Sequence, residues 1–251
     1  MAWRRPWGVP TSWRFEACSP DADALSAGSP SAAATGAGAL ANGVNEAERQ
    51  ARDAAPALGL AAVVDVETTG LSPWRDEIVE LAAILFAFER ATGRIRGVVD
   101  AYTGLREPSV PISPGAAAVN GITPEMVRGQ RLDEARVEAI LKRAEFLVAH
   151  NASFDRGFVT RLFPVAGQKP WLCSMRLVDW RGMGYPSAAL QSLLHHHGIQ
   201  VERAHRGGDD ALATLELLSR TGPDGHPYFY WLLKRGLPAG DDDARLRAPG
   251  G

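Results

Sequence analysis

The sequence predicts an α/β fold, and three observations carry that prediction. Ala61-Ala62-Val63-Val64 is a near-continuous apolar run, which suits a strand covered on both faces. Glu77 to Phe88 and Ile95 to Tyr102 are strand-like and joined by the turn Ala91-Thr92-Gly93-Arg94, so residues 60 to 103 fit three antiparallel strands. Phe146-Leu147-Val148-Ala149 reads as a short buried strand that gives way to a loop and a helix, the arrangement of a ligand-binding edge in α/β sheets.

Taken in order, the chain opens with a segment that cannot make a core. From Cys18 to Leu58 it is dominated by Ala, Gly, Ser and Pro, too little apolar surface to offset the entropy of ordering it. Residues 1 to 57 are therefore expected to be low-complexity and disordered, with a short helix allowed at Asn45 to Ala54. Met1-Ala2-Trp3-Arg4-Arg5-Pro6 is not followed by an apolar stretch of signal-peptide length. The longest apolar run, Leu81 to Phe88, is far short of a membrane span. Two cysteines, Cys18 and Cys173, are too few for a disulfide framework, so a reducing cytoplasm is the expected location, with no membrane partner.

Beyond the three strands, Pro108 to Pro114 reads as an extended loop, and Thr123-Pro124-Glu125 as the start of a helix with Thr123 as N-cap. Asp133 to Ala144 is helical by the spacing of Val137, Ile140 and Leu141. Ser153 is placed to cap a helix running to Phe163, with Asp155 in its first turn. Trp171 to Trp180 and Ala188 to His197 read as two further helices, the second capped by Ser187 and stopped by Gly198. His195-His196-His197 falls in a last helical turn, where consecutive side chains diverge by about 100° and histidines complement the dipole, so metal binding by this trio is not expected. Ala211 to Arg220 is helical, and the aromatic stretch Pro227 to Leu233 is expected to pack on the domain. The division is thus 1–57, a folded unit over 58–221, and a C-terminal aromatic segment and tail over 222–251.

The chemistry lies in the acids. Asp65 and Glu67 sit at i and i+2 in a β-branched run, so both carboxylates leave one face of a strand, roughly 6.5 Å apart. Two acids at that distance can share a pair of divalent cations about 3.5–4 Å apart. Each acid also has a plain structural explanation: Asp65 and Glu67 as the wet face of a strand, Asp155 and Asp210 as partners of a helix dipole. Four carboxylates brought into one cleft would repel strongly unless hard cations sat among them. The net charge of −2 is unusual for a nucleic-acid binder. Over residues 58 to 221, 18 Lys and Arg stand against 19 Asp and Glu, and setting aside four ligand acids leaves a net of +3. Such a mildly basic exterior suits a grip on a few nucleotides at a chain end.

Three stretches carry a resemblance to a known family: Val64-Asp65-Val66-Glu67-Thr68-Thr69-Gly70-Leu71, His150-Asn151-Ala152-Ser153-Phe154-Asp155, and His205 through Asp210, with Asn120-Gly121-Ile122-Thr123 between them. In order and spacing they resemble the DEDDh family of 3′→5′ exonucleases, which includes the proofreading subunit of bacterial DNA polymerase III. The resemblance implies a ribonuclease H-like fold, a mixed five-stranded sheet with helices on both faces. It implies Asp65, Glu67, Asp155 and Asp210 as ligands of two Mg²⁺ ions, with Mn²⁺ substituting, and His205 as general base, with Glu67 beside it in the catalytic set. It implies Thr68, Leu71, Asn151 and Phe154 as the pocket for the terminal nucleotide. The family's spacing selects Asp210 over Asp209, which periodicity alone does not. Gly207 stands where an alanine is usual, which is expected to loosen the loop carrying His205, and Asn120 replaces a common histidine. The implied substrate is a DNA 3′ end, single-stranded or frayed, hydrolysed to nucleoside monophosphates, with a polymerase as a separate chain among the partners. An RNA 3′ exonuclease of the same fold is the nearest alternative, because the metal site does not read the 2′-hydroxyl. A non-catalytic binding module is the other, and the complete set of acids with His205 speaks against it.

Overall fold

The computed structural model describes residues 57–201 and 204–237. The low-complexity reading of 1–57, its helix at Asn45 to Ala54, Cys18 and the tail beyond residue 237 lie outside the described residues, except that Ala57 is described. At the centre is a five-stranded sheet of order β3-β2-β1-β4-β5. Its strands are β1 (Leu58–Thr68), β2 (Ile78–Glu89), β3 (Ile95–Leu105), β4 (Phe146–Ala149) and β5 (Trp171–Cys173). β1, β2 and β3 form an antiparallel meander, whereas β1–β4 and β4–β5 are parallel. The apolar run in β1 is explained by its central place: Ala61 and Val63 enter one core, and Ala62, Val64 and Val66 enter the core on the opposite face.

Nine helices are described. They are α1 (Pro114–Asn120), α2 (Pro124–Val127), α3 (Glu134–Arg143), α4 (Ala152–Leu162), α5 (Pro164–Gly167), α6 (Ser174–Leu177), α7 (Leu190–His196), α8 (Gly207–Ser219) and α9 (Tyr228–Gly236). α3 and α4 cover one face of the sheet through Val137, Ile140, Leu141, Phe158 and Val159. α7, α8 and α9 cover the other through Leu193, Leu194, Leu215, Leu218, Phe229 and Leu232. α3 is signed at both ends, with the Asp133 carboxylate accepting from the Arg136 N–H at 3.0 Å and Lys142 and Arg143 in the last turn.

Several local expectations are corrected. The helix expected over Trp171 to Trp180 is instead strand β5 followed by the single turn of α6, because Leu172 completes the sheet beside Val148 and is buried there. Three residues of edge strand are too short for any periodicity to reveal. α1 follows the extended loop expected over Pro108 to Pro114 and is a helix for which no expectation was stated. Its signals are present in Ser113, whose hydroxyl accepts from the Ala116 N–H at 3.1 Å, in Pro114 at the first helical position, and in Gly121 at φ 65° beyond the end. α4 begins at Ala152 after Asn151, two residues earlier than a Ser153 cap allows, and α7 begins after Ala189, with Ser187 accepting from the Ala189 N–H instead. α8 starts at Gly207, four residues before the expected helix.

α9 lies beyond residue 221, and its Tyr228 and Phe229 are part of the core. Phe229 is fully buried, with ring centroids 5.2 Å from Phe86, 5.1 Å from Phe88 and 6.2 Å from Phe146. The first two contacts are edge-on, the favoured geometry of aromatic pairs. Phe229→Ala is expected to cost about 3–5 kcal/mol of unfolding free energy, read from the denaturation midpoint; a change within about 0.5 kcal/mol would mean that α9 does not hold the sheet.

Candidate active site

The carboxyl end of β1 and two helix starts meet at one cleft. Asp65 and Glu67 leave the same face of β1, and the register with β2 shifts immediately after Glu67, where the strand ends. Asp155 lies in the first turn of α4, and its Oδ1 accepts the Val66 N–H at 3.2 Å, which fixes α4 against β1 between the two strand acids. Asp210 lies in the first turn of α8; its Oδ2 accepts the His205 N–H at 3.1 Å and its Oδ1 accepts from Gln191 Nε2 at 3.2 Å. Asp65, Glu67, Thr68, Leu71, Asn151, Phe154, Asp155, His205 and Asp210 all line this cleft, whose volume is about 970 Å³. Every residue singled out from the sequence is therefore brought to one place, although Leu71 stands at the mouth and is 84% exposed.

The charges in the cleft are in conflict. Burial pushes the Asp65 carboxyl well above the usual range, and Asp155, Asp210, Glu67 and Glu80 each push it further. Glu67 is raised to about 8, by burial first and then by Asp210 and Glu80, against a hydrogen bond from Asn120 that pulls the other way. Asp155 is raised to about 7 by burial, and Asp210 is also raised by burial, despite the amide hydrogen bonds that favour their charged forms. Among the described residues, no group of three or more His, Cys, Asp or Glu side chains is placed to hold a single metal ion. The donors nevertheless match hard divalent cations: carboxylate oxygens gathered in one cleft, whose mutual repulsion bound cations would relieve.

The segment carrying His205 is anchored at three successive residues. His205 itself has φ 60°, a backbone region that side chains other than glycine rarely occupy. Its own N–H is held by Asp210. Arg206 grips the buried Glu80 with two bonds, Nε to Oε2 at 2.9 Å and the guanidinium to Oε1 at 2.8 Å, and the Gly207 N–H adds a third at 2.9 Å. The loosening expected of Gly207 is thus opposed at Gly207 itself, and a methyl group there would meet its neighbours only at ordinary contact distances of 3.5–3.6 Å. Glu80 was not among the residues singled out from the sequence, nor were Gln191 and the cleft role of Asn120, whose amide also donates to the Thr68 carbonyl at 3.3 Å. The only signal for Glu80 was an acid inside an otherwise apolar strand, directly opposite Glu67 in the sheet.

The RNase T family, described as an exonuclease family, matches residues 62–218. The chain belongs to that exonuclease family. The DNA polymerase III PolC-type protein of Thermotoga maritima is 32% identical over 166 residues, covering 63% of this chain and 11% of the relative. The DNA polymerase III subunit epsilon of Treponema pallidum is 30% identical over 169 residues, covering 62% of this chain and 73% of the relative. The chain thus spans about one ninth of the PolC-type relative's length. Among solved structures, E. coli exonuclease I in complex with a dT13 oligonucleotide has a TM-score of 0.53 and 20% identity, over 64% of this chain and 40% of that one. The fold of this exonuclease domain is the ribonuclease H-like one that the three motifs imply, a mixed five-stranded sheet with helices on both faces.

Two outcomes test this geometry. In the metal-free exonuclease domain the raised acids hold protons that the unfolded chain releases, so their stabilising effect is complete below the unfolded value of 4.5 for Glu67 and is lost as pH rises through about 8. His150 and His197, lowered by burial, act oppositely as pH falls below 6.5, so the comparison must be with a variant that keeps them. In chelator, Glu67→Gln should melt above the wild type at about pH 9 and together with it near pH 4; a gap that does not change with pH would show that Glu67 carries no such charge. Glu80→Ala leaves the mostly buried Arg206 and the Gly207 N–H without their partner, and is expected to cost about 3 kcal/mol, measured by denaturant titration.

Proposed function

We propose that this chain is a 3′→5′ exonuclease that hydrolyses the terminal phosphodiester of DNA at single-stranded or frayed ends, releasing nucleoside monophosphates. The observation that carries the reading is the meeting of nine residues, drawn from segments up to 145 positions apart, in one cleft whose acids repel one another. DNA is favoured over RNA by the relatives of 30% identity or more, which are a DNA polymerase and a DNA polymerase subunit. The subunit epsilon relative also supports association with a polymerase carried on a separate chain, a role that suits a cytoplasmic location.

Asp65, Glu67, Asp155 and Asp210 would hold two divalent cations, Mg²⁺ or Mn²⁺. Bound there, such ions supply charge compensation, a more acidic attacking water and stabilisation of the leaving 3′ oxygen. His205 accepts the proton of the attacking water at a ring nitrogen, a task for which the Asp210 and Glu80 anchors fix its backbone. Thr68, Leu71, Asn151 and Phe154 hold the terminal nucleotide so that its phosphodiester faces the acids, with Phe154 supplying an aromatic surface and Thr68 and Asn151 polar groups.

The test is digestion of 5′-labelled single-stranded DNA, mispaired duplex and RNA, with Mg²⁺, with Mn²⁺ and in chelator. Single-stranded DNA should shorten from its 3′ end only when a divalent cation is present. Asp65→Ala and Asp210→Ala should each abolish turnover, and His205→Ala should lower kcat/KM by about 10²–10⁴-fold. Undiminished digestion in excess chelator would overturn the reading, and preference for RNA would overturn the substrate assignment.

A further inference from the structure

Among the described residues, the three most exposed of the five large apolar side chains left in water gather around the mouth of the cleft; Leu58 and Met126 lie elsewhere. Among the described residues, Leu71 is 84% exposed, Trp74 82% and Val119 58%. Leu71 and Val119 line the cleft, and Trp74 follows in the loop from β1 to β2, flanked by the cleft residues Ser72 and Arg75. An indole so exposed forgoes the burial that usually places tryptophan in interiors or interfaces.

The loop is held, not loose. The Asp76 carboxylate accepts the Ser72 N–H at 2.8 Å, the Arg75 and Asp76 N–H groups donate to the Ser72 carbonyl at 3.0 and 2.7 Å, and the Thr69 N–H donates to Glu77 O at 2.9 Å. Beneath it, a Cβ at Gly157 on α4 would come within 2.9 Å of Pro73 Cγ, so the missing side chain lets the loop lie on the helix. One turn further along α4, Arg161 sets its guanidinium 5.3 Å from the Trp74 ring centroid. Arg75, also exposed, lines the cleft. Trp74 thus stands exposed on a held loop between Arg75 at the cleft and Arg161 on α4, the pairing by which proteins hold single-stranded nucleic acid: rings stack on bases and cations face phosphates.

We infer that Trp74, with Arg75 and Arg161 beside it, is a stacking platform for the single strand that leads into the cleft, seating a base upstream of the 3′-terminal nucleotide. The inference rests on the exonuclease reading, and the occupant follows from it: the platform adjoins the cleft through Arg75, and its two guanidinium groups call for a polyanion. Recognition by stacking is tolerant of base identity, as a nuclease that shortens any sequence requires.

The test compares a long oligo(dT), which reaches the platform, with a thymidine dinucleotide, which is too short to span both sites. Trp74→Ala should lower the ratio of kcat/KM on the long substrate to that on the dinucleotide by about 5- to 150-fold, through KM and not kcat, and Trp74→Phe should recover most of it. In parallel, the anisotropy of 5′-fluorescein oligo(dT) in chelator reads affinity without turnover, and Trp74→Ala should weaken it by a similar factor. A wild type that cleaves DNA, with Trp74→Ala unchanged in both the length ratio and the affinity, would overturn the platform and leave the exonuclease reading intact. A wild type that cleaves neither substrate would overturn the exonuclease reading, and the anisotropy comparison would still decide whether Trp74 binds the strand.

Discussion

The structure is organised around a repulsion. Asp65 lies within the field of Asp155, Asp210, Glu67 and Glu80, in surroundings where burial already disfavours its charge. Left alone, such a group of acids would protonate or separate. The fold opposes that with positive ends and donors: the N-termini of α4 and α8 point their first turns at the cleft, the Val66 N–H holds Asp155, Gln191 and the His205 N–H hold Asp210, and an Asn120 hydrogen bond reaches Glu67. Glu80, the fifth acid, is compensated separately by Arg206 and the Gly207 N–H. The four acids that remain under strain are those assigned to cation binding, so the electrostatic conflict and the proposed chemistry share one cause.

Glu80 also connects the charge problem to the geometry of the base. It stands opposite Glu67 in the sheet, yet its bonds run to Arg206 and Gly207, the two residues that follow His205. The left-handed backbone at His205 is tolerated because residues on both of its sides in space are fixed, Asp210 at its N–H and Glu80 beyond it. An acid in the second strand thereby serves the proposed general base without entering the reaction.

Much of this was legible in the sequence, for identifiable reasons. The alternation of β1 placed Asp65 and Glu67 on one side, and strand-loop-helix patterning placed Asp155 near them, because both features are set by local periodicity. The meander of residues 58 to 105 was readable from its length and turn residues. β5 was hidden, because three edge residues have no period and Trp171-Leu172-Cys173 owes its strand state to β4 alone. Glu80 was hidden because its partners lie 126 positions away, and nothing within β2 announces them. The choice of Asp210 over Asp209 needed the family's spacing; in space, Asp210 is the one bonded to the His205 N–H and to Gln191. α9 could be recognised as apolar but not located, since its place beside Phe86, Phe88 and Phe146 depends on a sheet face formed far earlier in the chain.

The separation of those partners in sequence also governs when the site can exist. Val66 meets Asp155 across 89 positions, and Glu80 meets Arg206 across 126, so the cleft closes only after the chain has returned to its first strands twice. Non-local contacts of this kind form late, since loop closure must precede them. During synthesis the meander of β1 to β3 can assemble early, but the cleft stays open until α8 has left the ribosome and docked. A nascent chain therefore holds its first two acids with no partner to complete them, and the proposed site cannot form before α8 has been made.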